Sequence, residues 1–272
     1  TELQGKWRTM LTELTPLPTS ADPEALTRAG YTGPTVWVRG RKPAVNPSGF
    51  LPDGNSLPMW FFDLCNLDSG NAADTALANA TFDASFRGRP IDDKTPVQVL
   101  SKLAIAGATL GRAEAVRFLI PNQIRILTAE RETAYLRGKV MANRMALREG
   151  PQAADVQSLG RASEAIQMAL LQSNPPAPAA EPLLRLFPAW PADWEASFTL
   201  RARGAFVVTA SRRGGAVEFV EILSEAGAPC HLRNPWGDAE ITLQRDGGAT
   251  ERIRGERLML ATKAGERLRL TR

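Results

Sequence analysis

The sequence predicts a multidomain α+β protein in which a group of helices precedes an antiparallel β-sandwich. Before residue 174, apolar residues recur at the three- and four-residue spacing of helix faces. After residue 195 they occur in short alternating runs, which glycine-containing turns separate. A proline-rich stretch at 174–182, through which no helix can continue, lies between the two patterns. We therefore expect a helical domain at 1–173, a linker and interdomain wedge at 174–195, and a sandwich at 196–272.

Seven segments of the first domain have the periodicity of helices, and one short strand is predicted at 35–39. Some of these helices are apolar on most sides, whereas others keep a polar face, and the two kinds alternate along the chain. Antiparallel hairpins produce this alternation when they place an inner and an outer helix in a ring. The predicted helices span residues 2–14, 56–67, 71–86, 95–109, 112–127 with an interruption at Pro121, 130–147, and 156–172.

The last domain contains short β-type segments, several of which alternate apolar with polar residues. Turn signals at 213–215, 236–238 and 246–248 separate some of them, which is typical of an antiparallel sandwich. The predicted strands span residues 198–203, 206–211, 217–224, 230–233, 240–245, 252–253, 257–261 and 266–270. We expect this sheet structure to pack against the helical domain.

The composition excludes several kinds of catalytic site. The 272 residues include one histidine, His231, and two cysteines, Cys65 and Cys230. One imidazole cannot form a multi-histidine metal site, and two thiols are too few for a structural zinc site or a disulfide scaffold. His231 lies in a strand-like run and Cys65 among apolar residues, so neither is expected to be part of a nucleophilic site. Any chemistry is therefore expected to use Asp and Glu, with no cofactor.

The charge pattern bears on the kind of partner. The 33 basic and 29 acidic residues give a net charge of +4, and the basic residues are dispersed rather than interleaved with aromatic ones. Phosphate tracking and base stacking need such interleaving, so we expect no nucleic-acid partner. No apolar run approaches the roughly 20 residues that span a bilayer, so we expect no membrane partner. The start at Thr1, without Met or a targeting pattern, indicates a removed segment or a piece of a longer chain.

The loops before the inner helices of such a ring all open on one side. These loops span 46–55, 87–94 and 147–155. If the ring forms, the acidic residues of these loops gather at one mouth, which is then the candidate active site. These residues are Asp53, Asp92, Asp93, Glu149 and Asp155. The alternative is a structural role, since Asp-Gly is a turn dipeptide and Asp is a frequent helix cap.

Three segments together carry a resemblance to a known family. Residues 165–173 read Ala-Ile-Gln-Met-Ala-Leu-Leu-Gln-Ser, and residues 184–194 read Leu-Arg-Leu-Phe-Pro-Ala-Trp-Pro-Ala-Asp-Trp. Residues 200–208 read Leu-Arg-Ala-Arg-Gly-Ala-Phe-Val-Val. In this order they resemble the C-terminal signature of glycoside hydrolase family ninety-five, the inverting α-L-fucosidases.

The resemblance implies that the ring is part of an (α/α)6 toroid, which the β-sandwich follows. It also implies that an N-terminal portion of the same enzyme, with the first barrel helices and the general-acid glutamate, is missing here. The expected partners are that portion and an oligosaccharide substrate, and the expected location is secreted or periplasmic. In such a link, Trp190 and Trp194 would wedge the two domains together.

The resemblance also suggests site residues. Inversion at a sugar carbon needs two carboxyl groups roughly 6.5 to 9.5 Å apart, one to protonate the leaving oxygen and one to activate water. The family places its base, an aspartate, just before the last inner helix. Asp155 is the candidate base, with helix capping as the alternative, and a gap-free alignment places Gln157 at that position instead. The expected substrate-binding residues are Asp53, Asn55, Trp60, Glu149, Gln152 and Gln157.

Two features keep other interpretations open. Residues 56–64 contain no histidine where the family has a histidine-rich helix start, so the sugar is fucose or a relative of it. Trp60 is either a sugar-stacking residue or a core residue. The alternative functions are a non-catalytic carbohydrate-associated or structural scaffold, and a helical interaction domain with an appended β module.

Overall fold

The computed structural model describes residues 2–27, 30–42, 55–97, 102–128, 130–133, 138–141, 156–177 and 179–272. These residues form six helices and twelve strands. The helices are α1 (Glu2–Glu13), α2 (Leu57–Trp60), α3 (Ala72–Ala84), α4 (Leu103–Thr109), α5 (Ala113–Thr128) and α6 (Val156–Leu170). The first strands are β1 (Glu130–Thr133), β2 (Gly138–Met141), β3 (Leu171–Gln172), β4 (Arg185–Leu186), β5 (Ala196–Ala202) and β6 (Phe206–Arg213). The others are β7 (Ala216–Ser224), β8 (Cys230–Arg233), β9 (Ile241–Arg245), β10 (Thr250–Ile253), β11 (Arg257–Leu260) and β12 (Glu266–Thr271).

Helix α4 lies at the centre of the helical part. It contacts α2, α3, α5 and α6, and its residues from 104 to 109 are all buried. The neighbours pack closely because most of these residues are small, and a Cβ atom on Gly107 would lie 3.2 Å from the ring of Phe82. Helix α4 therefore organises the helical core.

Helices α4 and α6 run in the same direction. At their starts, Lys102 and Arg161 both contact the ring of Trp60. At their ends, the Gln172 side chain donates to the carbonyl oxygen of Ala108 at 2.6 Å. Helix α5 runs the opposite way, because Asn122 in its second half donates to the Thr95 carbonyl oxygen, at 3.0 Å, before α4 begins.

The β part has two sets of strands around one apolar cluster. Six antiparallel strands form a sheet in the order β10-β9-β12-β7-β6-β5. The pairs β3–β4 and β8–β11 are joined by a bridge between Leu184 and Leu232. Side chains from one face of the large sheet, such as Val208 and Ile222, share a cluster with Leu184, Leu232 and other residues of the small sheets. One face of the large sheet is thus covered.

The stretch 174–195 lies between the helical and the β cores. It contributes β4 and a run of buried residues from 183 to 187, and Trp190 packs against both apolar clusters. Ion pairs also join the two parts. The pairs are Asp63–Arg203, Asp68–Arg185 and Arg117–Asp193.

The α+β class is confirmed, and most elements lie near their predicted positions. Helices α1, α3, α5 and α6 and the eight strands β5 to β12 were anticipated, whereas the two-residue strands β3 and β4 were not. The predicted strand at 35–39 appears only as a bridge between Trp37 and Thr19. Helix α5 continues through Pro121, where an interruption was expected; it is held by buried neighbours such as Leu119 and Asn122.

Three helix predictions differ from the structure. The helix at 56–67 ends at Trp60, because Asp63 has a φ of 52° and the side chain of Asn66 accepts a hydrogen bond from the backbone of Asp68 in a turn. The helix at 95–109 begins only at Leu103, and residues 98–101 lie outside the described part.

The third difference is at 130–147. No helix forms over its described residues, where β1 pairs with β2 in antiparallel register. Thr133, Gly138 and Val140 are weak helix formers, which favours strand pairing. Within the described residues, no helix is both long and apolar enough to cross a membrane.

Candidate functional site

The candidate site is centred on Trp60, the last residue of α2. Its half-buried ring packs against the helical core and meets Phe61 edge-on, with ring centroids 5.2 Å apart. The ammonium nitrogen of Lys102 lies 4.6 Å from the centre of the Trp60 ring, and the guanidinium carbon of Arg161 lies 4.7 Å from it. Indole rings attract cations through their negative faces. The end of α2 and the starts of α4 and α6 therefore converge on one aromatic ring.

Positive charge is concentrated at this ring. Burial lowers the pKa of Lys102, and repulsion from the nearby charges of Arg161 and Arg39 lowers the pKa further. Arg161 forms an ion pair with Glu164 at 3.2 Å, but its buried Nε has no hydrogen-bond partner. The buried indole nitrogen of Trp60 has no partner either. We call Trp60, Arg39, Lys102 and Arg161 the Trp60 cation cluster.

Asn55 has a local role in the structure. Its side chain is buried, and its Oδ1 accepts a hydrogen bond at 3.3 Å from the backbone nitrogen of Leu57. This contact fixes the turn that leads into α2. Lys102 and Arg161 both lie against the Trp60 ring. A sugar that stacked on this ring would have to share it with these cations or displace them.

The other predicted site residues lie largely outside the described part. Asp53, Glu149, Gln152 and Asp155 are all outside it. Gln157 is the second residue of α6, four positions before Arg161. In sequence, the segments that would carry these carboxylates come before α2 and α6, the two helices that contribute Trp60 and Arg161 to the cluster.

The acidic residues of the loop at 87–94 stabilise that loop. The Oδ1 atom of Asp92 accepts hydrogen bonds from the backbone of Lys94 at 2.9 Å and from the hydroxyl of Thr95 at 3.1 Å. The backbone carbonyl of Asp93 accepts a hydrogen bond from Arg125 at 2.7 Å. Asp92 thus has the turn-forming role that was the structural interpretation of its sequence position.

A second charged cluster was not anticipated from the sequence. Asp68 contacts Arg185, Arg233 and Arg257. Arg185 is completely buried; it also donates to the backbone oxygen of Asn174 at 2.9 Å and to the side chain of Asn66 at 3.1 Å. Burial lowers the pKa of Arg185, against the opposing effect of Asp68. Its donors are used by the protein itself, so this cluster fastens the helical part to the β part.

The remaining candidates for nucleophilic or metal chemistry are weak. Cys65 and Cys230 are buried, and burial raises the pKa of both thiols, that of Cys230 to about 12. Neither is a thiolate at neutral pH. In the part of the chain that the structure describes, no three His, Cys, Asp or Glu side chains are grouped as metal ligands would be.

Comparison with known proteins leaves the family open. No family model matches the chain, and no curated protein matches it significantly.

Proposed function

We propose that this chain is the C-terminal portion of an inverting glycoside hydrolase that acts on α-L-fucosides or a related sugar. The observation that carries the proposal is the meeting of α4 and α6 at Trp60, where Lys102 and Arg161 both contact the ring. The motifs at 165–173, 184–194 and 200–208 supply the resemblance to family ninety-five.

The helix directions support a toroid. In an (α/α)6 ring the inner helices run parallel to one another, and the outer helices return in the opposite direction. Helices α4 and α6 have this parallel relation, with α5 reversed between them. The two sets of strands around one apolar cluster likewise support a sandwich.

The exposed apolar side chains on and just after α1 support the proposal that an N-terminal portion is missing. Leu3, Trp7, Met10 and Leu14 recur at helical spacing, and each side chain is more than half exposed. Contiguous exposed apolar residues usually mark a surface that another protein element covers. Earlier helices of the same enzyme are the occupant that the proposal requires.

In this mechanism Asp155 acts as the general base. It precedes Val156, the first residue of α6, in sequence, and an ionised aspartate can accept a proton from the attacking water. The general acid lies on the missing portion and protonates the leaving oxygen. A separation of roughly 6.5 to 9.5 Å between the two carboxyl groups leaves room for the water.

A non-catalytic carbohydrate-associated or scaffold module is the second candidate. A gap-free alignment with the family places Gln157 where the catalytic base would be. This favours the second candidate, because an amide cannot take a proton from water. The cations on Trp60 favour it as well, since they occupy a ring that would otherwise stack on a sugar.

The test is hydrolysis of an aryl α-L-fucoside by this chain together with the N-terminal portion. The initial sugar product, followed by NMR, is expected to have the inverted anomeric configuration. Asp155→Asn should lower kcat by roughly 10²- to 10⁴-fold, because the base is lost, whereas Asp93→Asn should not. Full activity of Asp155→Asn would show that Asp155 is not the base. No activity of the intact pair on any aryl glycoside would favour the scaffold.

A further inference from the structure

The Trp60 cation cluster is unusual among the charged groups of the described chain. Arg112, Arg117 and Arg245 each contact carboxylates, and the pKa of each is raised by them. Burial lowers the pKa of Arg185 too, but that guanidinium is paired with Asp68. The pKa of Lys102 is lowered by burial and by two like charges. No described carboxylate forms an ion pair with its ammonium group. Arg161 has one carboxylate contact, to the partly exposed Glu164.

The cluster is assembled from separate parts of the chain. Trp60 ends α2, Lys102 precedes α4, Arg161 lies in the second turn of α6, and Arg39 follows the bridge residue Trp37. The parallel packing of α4 and α6 brings the two cations onto one ring although they are distant in sequence. Lys102 and Arg161 carry like charges, and holding them on one ring costs free energy that a bound counter-charge would offset.

Two donors in the cluster lack partners. The Nε of Arg161 and the indole nitrogen of Trp60 are both buried without a hydrogen bond. Buried N–H groups normally have a partner, and a bound ion is one explanation of an exception. Trp190 and Arg212 also have such nitrogens, so the unpaired donors count here together with the positive charge around them. A group with several acceptor oxygens and a negative charge satisfies both the charge and the donors. Arg binds carboxylate and sulfate oxygens through paired hydrogen bonds.

We propose that the Trp60 cation cluster is a subsite for the anionic substituent of a sugar, a uronic-acid carboxylate or a sulfate ester. This inference deepens the proposed function, on which its identification of the ligand as a sugar rests. The substrate class would then be acidic glycosides, in which a carboxylate or sulfate lies against Lys102 and Arg161. The neutral fucosides of the resemblance lack that group.

The experiment is a binding titration of the 272-residue chain, which requires no hydrolysis. The probes are methyl α-D-glucuronoside, methyl galactoside 6-sulfate and neutral methyl galactoside. The readout is the indole N–H signal of Trp60 in an NMR spectrum, which is assigned with Trp60→Phe. We expect saturable shifts with at least one charged probe and none with the neutral one. The two charged probes distinguish carboxylate from sulfate, and added salt should weaken the binding.

Variants that remove a positive charge test whether Lys102 and Arg161 bind the anionic group. Lys102→Gln and Arg161→Gln should each weaken binding of the charged probe at least tenfold, and Arg161→Lys should weaken it less than Arg161→Gln. Arg201→Gln, which removes an exposed ion pair with Glu225 in the β part, is the matched control and should leave binding unchanged. Circular dichroism verifies that each variant is folded. Lys102 is only partly buried, so its variant tests the proposal even if Arg161→Gln does not fold.

The outcomes separate the two proposals. Equal binding of the neutral and charged probes, or unchanged affinity in folded Lys102→Gln, would overturn the anionic subsite. So would the absence of any charged-probe binding, as expected if a carboxylate of the chain itself already occupies the cluster. Binding of a charged probe by a chain whose intact pair hydrolyses no glycoside would support the subsite and contradict the enzyme. Fucoside hydrolysis by the pair, without binding of a charged probe, would support the enzyme and contradict the anionic subsite.

Discussion

Arg185 shows how one side chain can hold two parts of a protein together. It lies on β4, is among the largest completely buried side chains of the described residues, and contacts Asp68, Asn66 and the backbone of Asn174. A buried ion pair is costly to desolvate, but removing one partner is costlier because the other charge is then left behind. The apolar run Leu184-Arg185-Leu186 is the sequence feature that could have signalled this burial.

Replacement of Arg185 by Met should therefore destabilise the chain strongly. We expect the free energy of unfolding to fall by about 3 kcal/mol, the lower end of the range for breaking a buried pair, because Asp68 keeps Arg233 and Arg257 nearby. Urea denaturation measures the change. Arg201→Met, which breaks an exposed pair, is the control and should have a much smaller effect. A wild-type denaturation midpoint for Arg185→Met would show that the buried contacts do not stabilise the fold.

At the scale of elements, the sequence predicts best where the determining pattern is local. Strands β5 to β12 lie within two residues of their predicted positions, because alternation and turn residues are determined by a few neighbours in sequence. The helices near the mouth are harder. The end of α2 depends on turn contacts around Asp63 and Asn66, and an apolar run alone does not reveal them.

The candidate site has the same limit. Trp60 was identifiable as an aromatic residue in the predicted helix at 56–67, and Asn55 as a polar residue that precedes this helix. Lys102 and Arg161 were not, since their contact with Trp60 depends on α4 and α6 packing in parallel. Side-chain convergence of this kind is a property of the tertiary structure. Sequence spacing predicts which residues share an element, but not which elements meet.

Helix α3 offers a test of a single element. Its N-cap, Asn71, accepts hydrogen bonds from the backbone nitrogens of Ala73 at 3.0 Å and Asp74 at 3.3 Å. Asn71→Ala leaves these donors without a protein partner and should lower the free energy of unfolding by about 1 kcal/mol. Asn71→Ser keeps an acceptor oxygen and should lower it only slightly. The comparison is made by thermal and urea unfolding. Equal losses in the two variants would mean that the cap hydrogen bonds are not the cause.

At the scale of the whole molecule, Trp190 connects the two apolar cores. It packs against both clusters and meets Trp194 edge-on, with ring centroids 5.2 Å apart. Arg117 adds an ion pair to Asp193 and lies 6.0 Å from the centre of the Trp194 ring. Contacts that span two cores make their unfolding cooperative, because neither core retains its full burial alone.

Trp190→Ala should therefore uncouple the two parts as well as destabilise them. Loss of a large aromatic side chain costs about 3 kcal/mol, and we expect the single unfolding transition of the parent chain to split into two. Hydrogen exchange resolved by mass spectrometry would follow α4 and α6 separately from the strands β6, β7 and β12. Trp236→Ala is the matched control, since among the described residues Trp236 packs against the β cluster and not the helical one, and it donates to the carbonyl oxygen of Val217 at 2.9 Å. Trp236→Ala should lower the protection of the strands against exchange. The helical and β parts should still unfold in one transition, because Trp190 and the ion pairs that couple them are intact. A single transition in Trp190→Ala would instead assign the coupling to the buried cluster around Asp68 and Arg185.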